Sequence, residues 1–418
     1  MFASAALHLG HGRLIIKRKA RQYTTNRGYF TRKADDIMDQ LTPEILRYIT
    51  EHSKEAYDLL LTLGRIPAPS NHEEQRAEFC KNWLQAQGAE GVYLDDALNV
   101  VYPVGCTSDN PVVVFMAHTD VVFGDTVPLP LVVEDGKIKA PGIGDDTANL
   151  CALLLCAKYI AENKLRPKGN IGLLLVANSG EEGLGNLKGS RQIVSAYGSR
   201  IQEFFSFDGY MDGLVDNAVG SMRYRVEVLT EGGHSFANFG NRNAIAYLAS
   251  MIGTLYTVSV PQTKTKTTFN VGTIQGGTSV NSIAQQAEML FEFRSDSRQD
   301  LAFMDAHFQA VVDSYRTKGI TVNTALVGER PCSGEIDEER QAALTRRATE
   351  VLQRHTGSKP TVGPSSTDCN IPLSLGIPSV CLGTVRGALA HTREEWVQID
   401  SLVAGYRIAF EMILHYFA

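Results

Sequence analysis

Two adjacent acidic residues, Glu181 and Glu182, follow an apolar run in this sequence. The run covers residues 171–177, and the glutamates lie in the segment Asn-Ser-Gly-Glu-Glu-Gly that comes next. A strand that ends in a glycine-flanked turn lets neighbouring side chains point in different directions, so one glutamate could bind a metal while the other moves a proton. The competing interpretation is an exposed acidic turn, because charged residues mostly lie at protein surfaces. The spacing alone does not assign the two roles.

Other residues with metal-binding side chains lie just after an apolar strand or in a glycine-rich loop: His118, Asp145, Asp208 and His391. Together with Glu182 they offer two imidazoles and three carboxylates, the donor set expected for a pair of zinc-like ions. Three carboxylates and one hydroxide would neutralise two divalent cations, and such a site can lower the pKa of water. The predicted cofactor is therefore two Zn²⁺ ions, with Co²⁺ or Mn²⁺ as alternatives.

Two more residues could support this chemistry. Asp120 lies two residues after His118 and can accept a hydrogen bond from the far ring nitrogen, which would orient the imidazole. Glu181 would stay outside the metal donors as a general base and acid that takes a proton from the attacking water and passes it to the leaving amine. Each residue alone has a structural explanation, so the prediction rests on the whole set.

The elements that must position these residues alternate between strands and helices. A helix is predicted from Thr42, an N-cap followed by Pro43, to Gly64, and an apolar strand at 112–117 leads directly to His118. Further strands are predicted at 171–177 and 204–207, helices at 147–163, 188–197, 338–356 and 401–416, and a loop through 363–370. This order predicts an α/β fold with a mixed, largely parallel sheet and flanking helices, whose ligands collect at the carboxyl ends of the strands.

The pattern changes after Asn217. The predicted order becomes strand, helix, strand, strand, helix, strand, at residues 221–229, 243–256, 267–274, 288–294, 299–318 and 321–327. This βαββαβ order is typical of a ferredoxin-like α+β domain. We therefore predict a first catalytic segment at 38–217, an inserted domain at 218–329 and a second catalytic segment at 330–418.

Composition excludes several classes of protein. With 44% hydrophobic and 21% charged residues the chain is typical of globular proteins, and no apolar run approaches the ~20 residues of a membrane span. A net charge of -6 gives no sign of nucleic-acid binding, so a small molecule is the expected partner. Seven cysteines without a CxxC pair are predicted to be free thiols in a reducing compartment.

The first 33 residues contain eight Lys or Arg residues and no acidic residue. Residues 1–37 are therefore predicted to be a basic arm outside the fold. Three explanations stay open: a mitochondrial transit peptide, a disordered arm, or sequence upstream of a true start at Met38. The expected location is the cytoplasm, or the mitochondrion if the arm is a genuine transit peptide.

Six segments of the chain match one family in order. They are residues 116–122, 142–146, 179–183, 206–209, 232–235 and 390–395, which include Ser-Gly-Glu-Glu-Gly, Gly-Gly-His-Ser and Ala-His-Thr-Arg-Glu-Glu. In these segments the chain resembles the M20 family of metal-dependent exopeptidases and amidohydrolases, with its carboxypeptidase G2-like, peptidase T-like, aminoacylase-like and succinyl-diaminopimelate desuccinylase-like members. The resemblance runs from about residue 66 to the end and implies a zinc exopeptidase-like fold with an inserted dimerisation or lid domain.

The resemblance also implies how the metal donors are shared. His118 and Glu182 would bind different metals, Asp145 would bridge the two ions, and Asp208 and His391 would complete the two sites. The peptide bond after Asp145 would be cis. Asp146, which follows it, would then have a structural role or would stabilise the N-terminus of the next helix.

Further roles follow from the resemblance alone. Glu181 corresponds to the family's catalytic glutamate, and His234 to a histidine that reaches across a homodimer and stabilises the oxyanion. Asn281 and Arg294 correspond to residues that hold the backbone or the carboxylate of the substrate. Because guanidinium groups suit carboxylates, this role fits Arg294, although an ordinary strand arginine is the alternative.

These expectations combine into one predicted function. The protein would be a dinuclear metal-dependent hydrolase that cleaves an amide or peptide bond next to a free terminus of a small peptide. An N-acyl amino acid deacylase is the alternative, because it would use the same metals and the same general base. A non-catalytic protein that binds metal or peptide is a remote third possibility, against which the presence of Glu181 beside all five donors argues.

Overall fold

A computed structural model of the protein describes residues 41–261 and 264–417. The predicted basic arm, residues 1–37, lies outside the described residues. The described part of the chain forms nine α-helices: α1 Pro43–Leu63, α2 Glu74–Ala86, α3 Ala148–Glu162, α4 Lys188–Tyr197, α5 Ala244–Leu255, α6 Arg298–Arg316, α7 Glu338–Thr356, α8 Asn370–Ser374 and α9 Leu402–Leu414.

The strands of the same residues belong to four sheets. In chain order they are β1 Tyr93–Leu94, β2 Val100–Val104, β3 Val112–His118, β4 Val132–Glu134, β5 Lys137–Lys139, β6 Gly172–Asn178, β7 Ile201–Phe207, β8 Gly213–Ala218, β9 Gly220–Leu229, β10 Gly233–His234, β11 Thr267–Gly276, β12 Ser282–Ile283, β13 Gln286–Ser295, β14 Thr321–Arg330, β15 Thr361–Ser365, β16 Ser379–Leu382, β17 Gly387–Ala388 and β18 Trp396–Gln398.

The largest sheet has eight strands in the order β1-β2-β6-β3-β7-β16-β8-β15. The central strands β6, β3, β7 and β16 pair with one another in parallel. By contrast, β1 with β2, β2 with β6, and β16 with β8 pair antiparallel. This mixed, largely parallel sheet confirms the predicted fold class. Because β6, β3 and β7 are parallel neighbours, their carboxyl ends lie at one edge of the sheet.

Strand β3 is buried along its whole length, which explains why its sequence is a continuous apolar run. Successive side chains point to opposite faces of the sheet. Phe115 and Ala117 pack in one core with α1, α3 and α9, and Val114 and Met116 pack in a second core with α4. The strand that ends at His118 is therefore held by helices on both sides.

The chain between β8 and α7 forms a second layered unit. Its antiparallel sheet has the order β11-β13-β9-β14, and α5 and α6 pack on one face around a separate hydrophobic core. This arrangement has the predicted ferredoxin-like order of elements. The other face carries charged side chains of β9 and β13, among them Arg223, Arg225 and Arg294. We propose that this unit, predicted at residues 218–329 and extending to Arg330 at the end of β14, is the inserted domain.

Two strands at one end of the large sheet differ from the sequence expectations. The segment 363–370 was predicted to be a loop, which is wrong for its first residues because β15 extends from Thr361 to Ser365. It pairs in parallel with β8, which the sequence pattern also did not reveal. Gly363 and Pro364 are typical of loops, but proline is tolerated in an edge strand, and β15 is the last strand of this sheet.

All seven cysteines lie in the described part of the chain and are free, as predicted. Six are buried, and only Cys106 is partly accessible. Within residues 41–261 and 264–417, none of the helices combines the length and the apolar character that crossing a membrane requires.

A buried arginine of α2, Arg76, ties together the loops behind the strand ends. Its guanidinium group donates hydrogen bonds to the main-chain oxygens of Thr119 at 2.8 Å, Leu63 at 3.0 Å and Ile66 at 2.7 Å. Burial lowers the pKa of Arg76 to about 10, so the side chain remains cationic at neutral pH. One charged group on α2 therefore holds both the end of α1 and the segment that follows β3.

We expect Arg76→Met to lower the free energy of unfolding by about 3 kcal/mol, because it leaves several buried carbonyls without a donor. Urea unfolding in the presence of EDTA measures this without a contribution from bound metal. Arg65→Met is the matched control: Arg65 also donates to a carbonyl, that of Leu61 at 2.8 Å, but it is exposed. Equal effects of the two substitutions would contradict the prediction.

Candidate metal centre

The carboxyl ends of three adjacent parallel strands supply most of the predicted metal donors. His118 is the last residue of β3, Glu181 and Glu182 follow β6, and Asp208 follows β7. Strand order places β3 between β6 and β7, so His118 lies between the other two groups. Residues far apart in the sequence therefore meet at one edge of the sheet.

The five predicted metal donors form two groups that share Asp145. In the first group, Nε2 of His118 lies 3.0 Å from Oδ1 of Asp145 and 4.0 Å from Oδ1 of Asp208. In the second, Nε2 of His391 lies 3.2 Å from Oδ2 of Asp145 and 2.8 Å from Oε1 of Glu182. The two oxygens of the Asp145 carboxylate therefore face different histidines.

These distances can be compared with those of ligands on one ion. Two ligand atoms on a tetrahedral zinc ion, each ~2.0 to 2.2 Å from the metal, lie about 3.4 Å apart. Within each of the two donor groups the ligand atoms lie within 4.8 Å of one another. Small movements of the side chains would bring each group to that spacing. The residues present therefore fit a divalent cation in each group.

The charge of the cluster leads to the same conclusion. Hydrogen bonds to Asp145 and Glu182 raise the pKa of His391 to about 11. Burial opposes protonation of His118, but the charge of Asp146 and hydrogen bonds to Asp120 and Asp145 outweigh it, and the pKa of His118 is raised well above its usual value. The carboxylates thus create a negative potential at both imidazoles, which would also attract a metal cation.

Asp120 connects the strand that ends at His118 to the turn after β6, the glutamate turn, which carries Glu181 and Glu182. Its main-chain oxygen lies 3.0 Å from Nδ1 of His118, and its carboxylate oxygen Oδ1 lies farther from that nitrogen, at 3.4 Å. The carboxylate accepts the main-chain N–H groups of Glu181 at 3.0 Å and Glu182 at 2.9 Å, and the hydroxyl of Ser70 at 2.7 Å. The nearer acceptor for His118 is thus the carbonyl, and the carboxylate mainly holds the turn.

A buried glutamate holds the loop that carries Asp145. The carboxylate of Glu395 accepts hydrogen bonds from the main-chain N–H groups of Gly142 at 2.7 Å, Gly144 at 2.8 Å and Asp145 at 2.8 Å. Gly142 has a φ of 71°, and a Cβ atom on Gly144 would lie 2.8 Å from the ring of Tyr210. Both glycines are therefore required for this close approach.

The peptide bond between Asp145 and Asp146 is cis, as the resemblance implied. The Asp146 carboxylate accepts the main-chain N–H of His118 at 2.8 Å and the side-chain amide of Asn149 at 2.6 Å. These contacts favour a structural role for Asp146, because it links the Asp145 loop to the end of β3 and to the first turn of α3.

Glu181 lies beside the predicted donors, because its carboxylate and ligand atoms of His118 and Glu182 lie within 4.8 Å of one another. It also pairs with an arginine that the sequence did not suggest. Nη1 of Arg330 donates to Oε1 of Glu181 at 3.0 Å and to the hydroxyl of Ser366 at 3.1 Å, and Nη2 donates to the main-chain oxygen of Glu181. Burial raises the pKa of the Glu181 carboxyl well above its usual range, and the positive charge of Arg330 partly offsets this effect. Glu181 and Glu182, although adjacent, therefore have different surroundings.

A cavity of about 500 Å³ is lined both by the predicted metal donors and by residues of the sheet β11-β13-β9-β14. Its lining includes acidic residues and a histidine together with three arginines: Asp145, Glu181, Glu182, Asp208, His391, Arg223, Arg294 and Arg330. Arg223 and Arg294 share the carboxylate of Glu292, at 3.2 and 3.0 Å. Arg294, predicted to bind substrate, thus faces the same cavity as the predicted metal donors.

The other two predicted site residues lie elsewhere. His234 is exposed, and its Nδ1 accepts the main-chain N–H groups of Phe236 at 3.2 Å and Ala237 at 3.3 Å. Asn281 is its neighbour, because the carbonyl of Asn281 accepts the N–H of Ser235 at 2.9 Å. Neither His234 nor Asn281 lines the cavity beside the metal donors of the same chain.

Sequence reasoning missed three residues of this centre. Glu395 lies in the matched segment 390–395, so its position was available although its role was not. Arg223 and Arg330 lie on strands of the inserted unit, outside all six matched segments. No local pattern distinguishes them from other arginines on the surface of a sheet.

Comparison with known proteins agrees with this architecture. The model of the family described as peptidase family M20/M25/M40 matches residues 114–415. A succinyl-diaminopimelate desuccinylase from Psychrobacter arcticus is 24% identical over 400 residues, which cover 88% of this chain and 95% of that protein.

Solved structures show the same fold. A tripeptidase from Staphylococcus aureus has a TM-score of 0.68 and 22% identity, with 87% of this chain and 98% of that chain covered. A dinuclear metal-binding peptidase of the M20 family from Bacillus subtilis has a TM-score of 0.59 and 16% identity, with coverages of 87% and 99%. The family match and these relatives indicate a hydrolytic metalloenzyme. The resemblance seen in the sequence is thereby confirmed, and the chain belongs to peptidase family M20/M25/M40.

Proposed function

We propose that the protein is a dinuclear metal-dependent exopeptidase that cleaves the peptide bond next to a free terminus of a small peptide. The observation that carries this proposal is the orientation of Asp145, whose two carboxylate oxygens face His118 and His391 separately. A carboxylate shared between two donor groups can bridge two neighbouring ions, and paired ions are a common arrangement in hydrolases. Zinc is the proposed metal, with cobalt or manganese as alternatives, because the donors are nitrogen and oxygen atoms.

Each residue of the centre has a proposed part in the reaction. His118, Asp145 and Asp208 would hold one ion, and His391, Asp145 and Glu182 the other. Two divalent cations would supply Lewis acidity and lower the pKa of water. Glu181 would take the proton from the attacking water at Oε2, the oxygen that does not accept from Arg330, and return it to the leaving nitrogen.

The cavity indicates which part of the substrate is recognised. Arg223 and Arg294 share one carboxylate, Glu292, so one of their two positive charges is not neutralised within this group. The side chain of Arg294 is partly exposed and lines the same cavity as the predicted metal donors. We propose that Arg294 binds a substrate carboxylate, which would place the adjacent amide bond between the arginine and the metals.

A second candidate function is the removal of an acyl group from an N-acyl amino acid. The similarity to a succinyl-diaminopimelate desuccinylase favours it, because a desuccinylase also removes an acyl group from an amide. The two functions differ in whether the substrate must carry a free α-amino group. The same metal donors and the same general base would serve either reaction.

A metal-supplemented activity screen separates these candidates. The panel would contain dipeptides, tripeptides and N-acetyl amino acids, each assayed with Zn²⁺, Co²⁺ and Mn²⁺. We expect turnover of at least one class of peptide and loss of activity on addition of a chelator. Turnover of the acetylated compounds alone would reject the exopeptidase and favour the deacylase.

We also propose that the protein functions as a homodimer. His234 and Asn281 are exposed at one end of the inserted unit, beside the highly exposed apolar residues Phe236 and Phe239, which are 88% and 91% accessible. Exposed apolar groups of this kind often mark a surface that a partner covers. A second copy of the chain could bring His234 to the other subunit's metal centre, where it would stabilise the oxyanion.

Complementation between two inactive variants tests the dimer. We expect chains with His234→Ala and chains with Glu181→Gln each to be nearly inactive, because one lacks the oxyanion donor and the other the base. Co-expression should restore activity, since one site of the hybrid would combine an intact Glu181 with an intact His234. Full activity at a monomer mass in sedimentation would contradict the proposal.

A further inference from the structure

Arg330 is a buried arginine that reaches from the inserted unit to the turn after β6. It is the last residue of β14, and its side chain is 5% exposed, compared with 6% for that of Glu181. The two residues are 149 positions apart in the sequence. An arginine so deeply buried is uncommon, because removing its charge from water is costly unless a partner compensates for it.

The guanidinium group contacts two different parts of Glu181. Nη1 binds the side-chain oxygen Oε1 at 3.0 Å, and Nη2 binds the main-chain oxygen of the same residue. On the opposite side, Asp120 accepts the main-chain N–H of Glu181 at 3.0 Å. The N–H, the carbonyl and the carboxylate of Glu181 are therefore each held by a separate bond. A simple ion pair would constrain only the carboxylate.

Other contacts between the inserted sheet and the segment after β6 support this arrangement. Nη1 of Arg223 on β9 donates to the main-chain oxygen of Gly183 at 2.5 Å. The N–H of Glu329 donates to the side chain of Asn186 at 3.0 Å, and Arg191 donates to the carbonyl of Glu329 at 2.5 Å. The inserted sheet therefore contacts the glutamate turn and the segment that follows it at several points.

We propose that Arg330 is a positioning residue, which fixes both the backbone and the carboxylate of Glu181 and so links the placement of the inserted sheet to the geometry of the general base. The inference rests on the proposed function, in which Glu181 is that base. Arg330 leaves Oε2 of Glu181 to exchange the proton. Movement of β14 relative to β6 would displace this oxygen from the reacting atoms.

Kinetics of three variants test the inference, with the peptide that the wild-type protein hydrolyses fastest in the activity screen. We expect Arg330→Met to lower kcat about a hundredfold with little change in KM, the effect typical of a ~1 Å displacement of a reacting group. Arg330→Lys should lower kcat less, because an ammonium group keeps the positive charge. Some loss should remain, since an ammonium group cannot hold the carbonyl and the carboxylate of Glu181 together. Metal content by elemental analysis should stay at the wild-type value in both variants.

Arg225→Met is the matched control. Arg225 lies on β9, on the same face of that strand as Arg223, and it also pairs with a glutamate, Glu288, at 2.6 Å, but it is exposed. Its kcat should equal that of the wild type. Hydrogen exchange provides a second measurement: the amides of residues 178–185 should exchange faster in Arg330→Met and remain unchanged in Arg225→Met. An unchanged kcat in Arg330→Met, or loss of metal from it, would overturn the inference.

The double variant distinguishes this inference from the proposed function. If Arg330 acts through Glu181, adding Arg330→Met to Glu181→Gln should cause almost no further loss of kcat. Independent, multiplicative losses would show that Arg330 acts elsewhere and would overturn the inference alone. Normal turnover by Glu181→Gln would overturn the proposed function and the inference together.

Discussion

Glu181→Gln should lower kcat by about 10²- to 10⁴-fold, the range that a positioned general base contributes. Glutamine has nearly the same shape and its amide oxygen can still accept the hydrogen bond of Arg330, but it cannot take up a proton. The predicted metal donors Glu182, Asp145 and His391 are unchanged, so the metal content should equal that of the wild type. Steady-state kinetics on the best substrate of the activity screen and elemental analysis measure both quantities.

Glu203→Gln provides the matched control. Glu203 lies on β7 and also pairs with an arginine, Arg347, at 2.7 Å, but it lies outside the cavity beside the metal donors. Its substitution should leave kcat unchanged. If Glu181→Gln turned over substrate normally, Glu181 could not be the base. If it lost its metal, Glu181 would have to be a ligand.

Asp145→Ala should remove both metal ions and with them all activity. Its carboxylate is the only one that contacts both histidines of the described centre, at 3.0 and 3.2 Å. His391→Ala should remove only one ion, because the first donor group does not include His391. Elemental analysis after gel filtration in a metal-buffered solution should therefore give two, one and no ions per chain for the wild type, His391→Ala and Asp145→Ala.

The exposed Asp313 of α6 is the control for this series. It forms an ion pair with Arg316 at 3.0 Å on the surface of the inserted unit, so Asp313→Ala should retain both ions. Equal metal losses in Asp145→Ala and His391→Ala would contradict the shared role of Asp145. Retention of both ions by Asp145→Ala would reject the proposed dinuclear centre.

Local sequence signals predicted the elements whose ends are chemically marked. Thr42 caps α1 by accepting the N–H of Ile45 at 3.3 Å, and Pro43 occupies the first turn, as expected from the sequence. The continuous apolar run of β3 and the amphipathic helix α4 were also predicted, with the bounds of α4 observed at Lys188 and Tyr197. In each case the sequence signal lies within a few residues.

Strand β15 escaped prediction because its stability comes from its neighbour. Gly363 and Pro364 have low intrinsic strand preference, and the segment becomes a strand only through its parallel pairing with β8. Parallel pairing joins segments that are distant in the sequence, so no short window contains its cause. The same argument applies to β8, whose partner lies well over a hundred residues away.

The candidate site shows the same division. The predicted metal donors each lie in a short matched segment after a strand or in a glycine loop. Arg330 and Glu395 contact the centre across 149 and 250 residues, and only the folded chain reveals the residues they hold. The sequence thus predicts candidates for the residues that supply chemical groups, whereas it does not reveal the residues that hold them in place.

The hydrogen bonds from Glu395 to the Asp145 loop also have a consequence for biosynthesis. Synthesis proceeds from the N-terminus, and the strands that carry His118, Glu182 and Asp208 leave the ribosome long before Glu395 and His391. Until then the nascent chain exposes a group of carboxylates without one of its two histidines and without the clamp on its central loop. Binding of the ion that His391 would hold should therefore be among the last events in the maturation of the protein, after the inserted sheet has been synthesised.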